Sequence, residues 1–202
     1  MSRSLKVVVA DDERETRDFL QELLARQGHQ VLAAENGRQL YELCRVAQPD
    51  LIVTDVKMPG MDGIEAAEAY SREREVPVVL VTGHHEPNLL ERIGADHIMA
   101  YLVKPIKAAD VEAAVAVAML RFGQYQQVRR EARDLRQALE DRKTIERAKG
   151  ILMRRLQVEE QEAFRRLKRL ASDHNKRLSE VAHTILDAED VFHQLDLLGR
   201  PG

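Results

Sequence analysis

Residues 5–12 read LKVVVADD, a short β-branched run that meets two adjacent carboxylates, Asp11 and Asp12, at once. A strand with one wet face would alternate apolar and polar residues, so a continuous run reads as a strand buried on both faces. Outward from it the pattern repeats. His29–Ala34 is a weaker second strand, Leu51–Thr54 a third, Pro77–Val81 (PVVLV) a fourth and Ile98–Val103 a fifth. Segments of helical spacing lie between them. Phe19, Leu20, Leu23 and Leu24 form one, ended by Gly28. Leu40, Leu43, Cys44 and Ala47 form another, stopped near Pro49. Ile64–Tyr70 follows a loop punctuated by Pro59, Gly60 and Gly63, and a short helix over Leu89–Ile93 ends at Gly94. Strict alternation predicts an α/β domain over residues 1–122, a doubly wound parallel sheet with helices on both faces.

From Lys107 the strand signal disappears, and no Pro occurs from 106 to 200. Val111, Val115, Ala118, Phe122 and Tyr125 recur at 4-3-4-3 spacing. Val128, Ala132, Leu135 and Leu139 continue it after one three-residue step. So narrow a seam predicts a coiled-coil-like helix over 107–141, overlapping the last helix of the first domain. Its partner is a second copy of the chain, giving a homodimer, or else the chain's own C-terminal end. An all-α unit of three helices is predicted over 142–198. The first continues to about Leu156 with Ile145, Ala148, Ile151 and Leu152 inward. The second spans Glu160–His174 with Phe164, Leu167, Leu170 and Ala171 inward. The third is capped by Ser179, with Val181, Ala182, Ile185 and Leu186 inward.

Composition narrows the function classes. The chain has 202 residues, of which 44% are hydrophobic, 4% aromatic and 32% charged. The hydrophobic share is too high for a disordered chain, and the aromatic share too low to favour an all-β sandwich. The single Cys44 excludes a disulfide framework and a Cys-based zinc site, and is expected to be a core residue. No uncharged apolar run approaches the ~20 residues of a membrane span. A soluble protein of the reducing cytoplasm, without membrane contact, is expected. Net charge is −3 but uneven. Residues 1–120 carry 13 Lys/Arg against 20 Asp/Glu, whereas 142–177 carry 12 against 5. An acidic front and a basic block suggest domains with different partners, although a basic block also arises from solvated helix faces. The acidic stretch Asp187–Asp196 is either another solvated face or a competitor for the basic one.

The carboxylates point to chemistry. Asp11 and Asp12 lie just past the first strand, Asp55 past the third, Thr82 past the fourth and Lys104 past the fifth. Functional groups of a doubly wound sheet gather outside the carboxyl ends of its strands, so all five are predicted at one edge. Three clustered carboxylates are costly to ionise without a cation. Hard oxygens of this kind suit Mg²⁺, which keeps several waters and bridges to phosphate. With Lys104 as a second positive charge and Thr82 as a hydroxyl, the site is equipped to transfer a phosphoryl group onto Asp55 itself.

The stretches VVVADDE (7–13), VTDVKMPGMDG (53–63), VTG (81–83) and YLVKP (101–105) closely resemble the receiver domain of bacterial two-component response regulators. The resemblance implies strand order 2-1-3-4-5 and Asp55 as phosphoacceptor from a sensor histidine kinase. It implies Asp12, Asp55 and the Lys57 backbone carbonyl as Mg²⁺ ligands, with Asp11 acting through water. Thr82 would bond the phosphoryl group and Tyr101 would be the rotating switch aromatic. Lys57 and His84 occupy the two positions that tune dephosphorylation in that family. They lack its fast-hydrolysis combination, so a long-lived phosphoryl state is expected.

In the C-terminal unit, Lys143, Arg147 and Arg154 are predicted opposite the apolar stripe of the first helix, with Lys149 at its flank. Arg165 and Arg169 are predicted opposite the stripe of the second. Such cations suit nucleic-acid phosphates. RKTIERAKGILM (142–153), EQEAF (160–164) and RLKRLASDHNKRLSEVA (166–182) resemble the ANTAR domain, the RNA-binding output of AmiR- and NasR-type antitermination regulators. That resemblance implies recognition of hairpin RNA in a leader transcript, with Lys176 and Arg177 among the contacts, and read-through at a terminator. The family's turn between its first two helices has Gly and a Ser/Thr cap, whereas Gln157, Val158 and Glu159 stand here. A DNA-binding transcription factor and a phosphorylatable protein-interaction module are the alternatives. No Ser-His-Asp triad, phosphate-binding loop or dinucleotide fingerprint occurs, and no chemistry beyond gain and loss of phosphoryl at Asp55 is expected.

Overall fold

The computed structural model describes residues 4–83 and 97–198, and the chain divides into two compact units between Gln127 and Val128. The first unit is built from β1 (Lys6–Ala10), α1 (Arg14–Arg26), β2 (Gln30–Ala34), α2 (Gly37–Ala47), β3 (Leu51–Asp55), α3 (Gly63–Ser71), β4 (Val78–Thr82) and β5 (Ile98–Val103). Its strands form one five-stranded sheet, parallel throughout, in the order β2-β1-β3-β4-β5. This is the predicted doubly wound architecture. The helix expected over 89–93, and His84, lie outside the described residues.

Burial explains why some strands read clearly and one did not. Every residue of β3 and β4 is buried, so both appear as unbroken apolar runs. The edge strand β2 alternates exposed and half-buried positions before Ala34. Along β1 the side chains alternate between two cores. Val7 and Val9 pack with Leu20 and Leu24 of α1, whereas Val8 and Ala10 pack with Leu40 and Cys44 of α2 and Ile64 of α3. Each fully buried Val or Leu contributes ~1.5–3 kcal/mol relative to exposure.

One helix, α4 (Ala108–Leu156, 49 residues), carries the chain from the first unit into the second. It runs through the boundary expected at 141/142, because no proline interrupts it. The expected seam divides in two. Val111, Val115, Ala118 and Phe122 are buried against the sheet beside Leu20 and Leu24, so these residues need no partner helix. Val128, Leu135 and Leu139 are instead 64%, 64% and 51% exposed.

The second unit adds α5 (Glu160–Asp173) and α6 (Leu178–Leu198). Its core consists of Ala148, Leu167, Ala171, Val181 and Ala182, flanked by Ile145, Leu152, Leu178 and Ile185. Three of the five central residues are alanines, so close approach of the helices replaces bulk. Two details differ from expectation. Helix α6 begins at Leu178, one residue before the expected cap Ser179, and the Arg177 N–H donates to the Glu180 carboxylate at 2.9 Å. Leu170, expected inward, is 41% exposed. Gln157 itself takes the left-handed conformation (φ 52°) that glycine takes most cheaply, which is how the chain turns without the expected Gly.

Candidate functional site

Parallel pairing places the ends of β1, β3, β4 and β5 on one edge of the sheet, and the predicted residues follow from that. Asp11 directly succeeds β1, Asp55 ends β3, Thr82 ends β4 and Lys104 directly succeeds β5. Asp11, Asp55 and Thr82 are buried. The Lys104 Nζ stands 3.1 Å from Asp11 Oδ2, 3.2 Å from Asp55 Oδ1 and 3.2 Å from Glu13 Oε2. The backbone closes the other sides. The Glu13 N–H donates to Asp11 Oδ1 at 2.9 Å, and the Lys57 N–H donates to Asp55 Oδ2 at 3.0 Å. Gly63, at the start of α3, lies so close to β3 that a side chain there would collide with the Asp55 carbonyl oxygen.

The electrostatics follow from burial. Desolvation pushes the Asp55 carboxyl up to about 6, with the Lys104 charge pulling it down and the Asp11 charge pushing it up. Burial likewise raises Asp11, against its bond from the Glu13 backbone and its contact with Lys104. Burial disfavours the Lys104 ammonium, but Asp55 and Asp11 outweigh it and leave Lys104 above its ordinary range.

The remaining predicted residues are placed differently. Asp12 is exposed and makes no ion pair among the described residues. The Thr82 hydroxyl donates to the Gly83 carbonyl at 3.2 Å. Tyr101, on β5 beside Leu80, is 61% exposed. Two participants were not predicted. Glu13 is the third carboxylate on Lys104, and the run Asp11-Asp12-Glu13 was its signal. Arg17 is buried on the face of α1 that carries Leu20 and Leu24, and its guanidinium donates to the Asp11 carbonyl at 2.8 Å. A cation at a core position of an amphipathic helix was the signal there.

The donor set can be tested against Mg²⁺. No group of three metal-ligating side chains is assembled among the described residues. However, Asp11 Oδ2 is buried without an aligned hydrogen bond, and it faces the Lys104 ammonium. Asp55 converges on the same cation. Two hard-oxygen carboxylates, with the exposed Asp12 next to Asp11 in the chain, fit an ion that retains most of its water.

In the second unit the predicted cations separate into two groups. Lys149, expected at the flank of the apolar stripe and among the RNA contacts, is buried, held by Glu160 at 2.7 Å and Glu146 at 2.8 Å, with its ammonium 5.5 Å from the centre of the Phe164 ring. The covered stem brings the ammonium to two largely exposed carboxylates, one on each of two helices. Lys143, Arg147, Arg154, Arg165, Arg169, Lys176 and Arg177 are all exposed. Lys143 pairs with Glu140, Arg165 with Glu162 and Arg169 with Asp173, contacts that water screens and that hold the cations weakly. Glu189 of the acidic stretch takes Arg155 at 2.9 Å and Arg154 at 4.0 Å.

A five-stranded 2-1-3-4-5 sheet with two buried aspartates and a lysine at its carboxyl edge defines a receiver. The chain belongs to the response regulator receiver family and carries an ANTAR domain, the two family models matching residues 7–116 and 133–186 respectively. It is similar to the transcriptional regulatory protein PdtaR of Mycobacterium tuberculosis, with 36% identity over 183 residues, covering 90% of this chain and 89% of that protein. It is also similar to the regulatory protein AtoC of Escherichia coli, with 33% identity over 135 residues, 66% of this chain but 28% of AtoC. Among solved structures, the chemotaxis protein CheY4 of Vibrio cholerae matches 57% of this chain and 99% of its own length, with 26% identity and a TM-score of 0.53. The protein is thus a response regulator of transcription with an ANTAR output. Among the described residues no helix is long and apolar enough to cross a membrane.

Proposed function

We propose that this protein is a phosphorylation-controlled antitermination regulator, which takes a phosphoryl group from a sensor histidine kinase on Asp55 and binds hairpin RNA of a leader transcript. The observation that carries the reading is the convergence of Asp55, Asp11 and Lys104 at the sheet edge. An Asp55 oxygen forms the new P–O bond while the donor's P–N bond breaks and the electron pair leaves with the imidazole. At neutral pH a carboxyl titrating near 6 is mostly ionised and therefore nucleophilic. Lys104, already within 3.2 Å of Asp55, offsets charge on the transferring oxygens. Asp55, Asp11, Asp12 and the Lys57 carbonyl would hold Mg²⁺, which when bound neutralises further phosphoryl charge. Thr82 is a hydroxyl at the adjacent strand end, and Tyr101 is the exposed aromatic whose rotation would report its movement.

The output acts through the second unit. Its exposed arginines and lysines suit RNA phosphates, and the exposed residues Val128, Leu135 and Leu139 suit a homodimer through α4. Two linked RNA-binding units then raise the effective concentration at paired hairpins. The four residues between α5 and α6 (174–177) match a helix-turn-helix connection and favour DNA binding as a second reading. Against it, α6 carries five acidic residues and no Lys or Arg, a poor composition for a helix in a DNA groove. The test is labelling with acetyl phosphate, followed by gel shifts of hairpin RNA and duplex DNA at equal salt, for wild type and Asp55→Ala. Label on wild type alone with preference for RNA supports the reading, and absence of label or preference for DNA overturns it.

A further inference from the structure

A cleft of about 200 Å³ opens between α5 and α6, lined by Leu170, His174, Lys176, Val181, Thr184 and Ile185. We infer that this cleft receives one unstacked nucleobase of a bound RNA, an inference that rests on the RNA-binding reading and names its subsite. Its walls are apolar. Leu170 is 41% exposed at its side, where a solvated helix face would carry a polar residue. Its mouth is cationic. The left-handed turn at Asn175 (φ 52°) brings the chain round to Lys176 and Arg177, whose side chains make no ion pair among the described residues. Two carboxylates stand nearby, Asp173 at 3.8 Å from Arg169 and Glu180, which accepts from the Arg177 N–H at 2.9 Å, so that three cations (Arg169, Lys176 and Arg177) against two carboxylates leave the mouth with a net charge of +1.

Apolar walls inside a cationic mouth match an occupant with a flat uncharged ring on an anionic chain, which describes a nucleotide in single-stranded RNA. The volume is below the ~300–1,000 Å³ of sites for larger ligands, and so suits one ring system. Polar groups for reading its edge are present. The Thr184 hydroxyl donates to the Glu180 carbonyl at 3.1 Å, which leaves its oxygen able to accept from an exocyclic amine, and His174 supplies ring nitrogens.

The test uses the full chain with a hairpin pool of randomised loop sequence, the same stem with an abasic loop, and the stem as a blunt duplex. Thr184 is exposed, so Thr184→Trp fills the cleft without disturbing the core. The expected result is at least tenfold weaker binding of the randomised-loop pool by Thr184→Trp, with an unchanged salt slope. The wild type should lose a similar factor on the abasic loop, and the blunt duplex should not distinguish the two proteins. Lys176→Gln should instead reduce the salt slope by about one. Equal affinity of Thr184→Trp and wild type for the pool overturns the cleft alone. Absence of hairpin binding by wild type overturns the RNA reading and the cleft together. A change in oligomeric state that accounts for the lost affinity would identify the occupant as a second copy of the chain and overturn the nucleobase.

Discussion

The Lys104 ammonium lies 3.2 Å from the Asp55 carboxylate, and the same nitrogen lies 3.1 Å from buried Asp11. One cation therefore holds two carboxylates that would otherwise repel in a desolvated site. Lys104→Met removes the charge that lowers the Asp55 pKa and leaves the Asp11 charge that raises it. Asp55 should then titrate above 6 in metal-free buffer, read by carboxyl-carbon NMR. Labelling by acetyl phosphate should fall with it. An unchanged titration would show that Lys104 does not set the charge state of Asp55.

The same burial makes stability depend on pH. The Asp55 carboxyl holds its proton up to about 6 when folded and releases it near 3.8 when unfolded. Because the folded state binds that proton more tightly, this contribution to stability falls as pH rises from about 4 through 6. The full difference is up to about 3 kcal/mol. Asp55→Asn should thus raise the thermal midpoint in metal-free buffer at pH 7.5 and give little gain at pH 4. Added Mg²⁺ should stabilise wild type more than the variant. An equal gain at both pH values would rule out the buried charge as its source.

The exposed half of the α4 seam gives a separable test. Leu135 and Leu139 are 64% and 51% exposed, so replacing both with Asp disturbs no core. On the proposed pairing through α4, wild type should sediment as a dimer and the variant as a monomer, with melting of the first unit unchanged. Affinity for a two-hairpin RNA should fall more than affinity for a single hairpin. A wild type that sediments as a monomer, or a dimer that survives both substitutions, would overturn pairing through this half of α4.

Gly150 lies within α4, and a Cβ there would meet only the far end of the Arg154 side chain, at 3.8 Å. Tight packing therefore does not require it, in contrast to Ala148, which is fully buried. Gly150→Ala should stabilise the protein by about 1 kcal/mol through helix propensity alone. Chemical denaturation would read this, and a destabilised variant would mean that the position serves a contact with a partner.

Cys44 is buried in the core between α2 and the sheet, and desolvation pushes its thiol up to about 12. It should resist Ellman's reagent at pH 8 in native buffer and react fully in denaturant. Rapid native reaction would contradict the packing of α2.

The order of strands and helices was legible in the chain itself, because parallel strands buried on both faces leave unbroken apolar runs such as PVVLV. The edge location of Asp11, Asp55, Thr82 and Lys104 was legible too, since each follows or ends a strand and parallel strands share an end. What the linear pattern does not contain is the partner of each side chain. The residues of α4 from Val111 to Leu139 share one seam, yet only tertiary packing decides that its first half covers the sheet while Val128, Leu135 and Leu139 stay exposed. Periodicity sets Lys143 opposite the apolar stripe and Lys149 at its flank, but gives neither its partners. Only the fold brings Glu160 and Phe164 onto Lys149 and leaves Lys143 at the surface. Periodicity records which face of an element is apolar, whereas burial depends on what the rest of the chain places against that face.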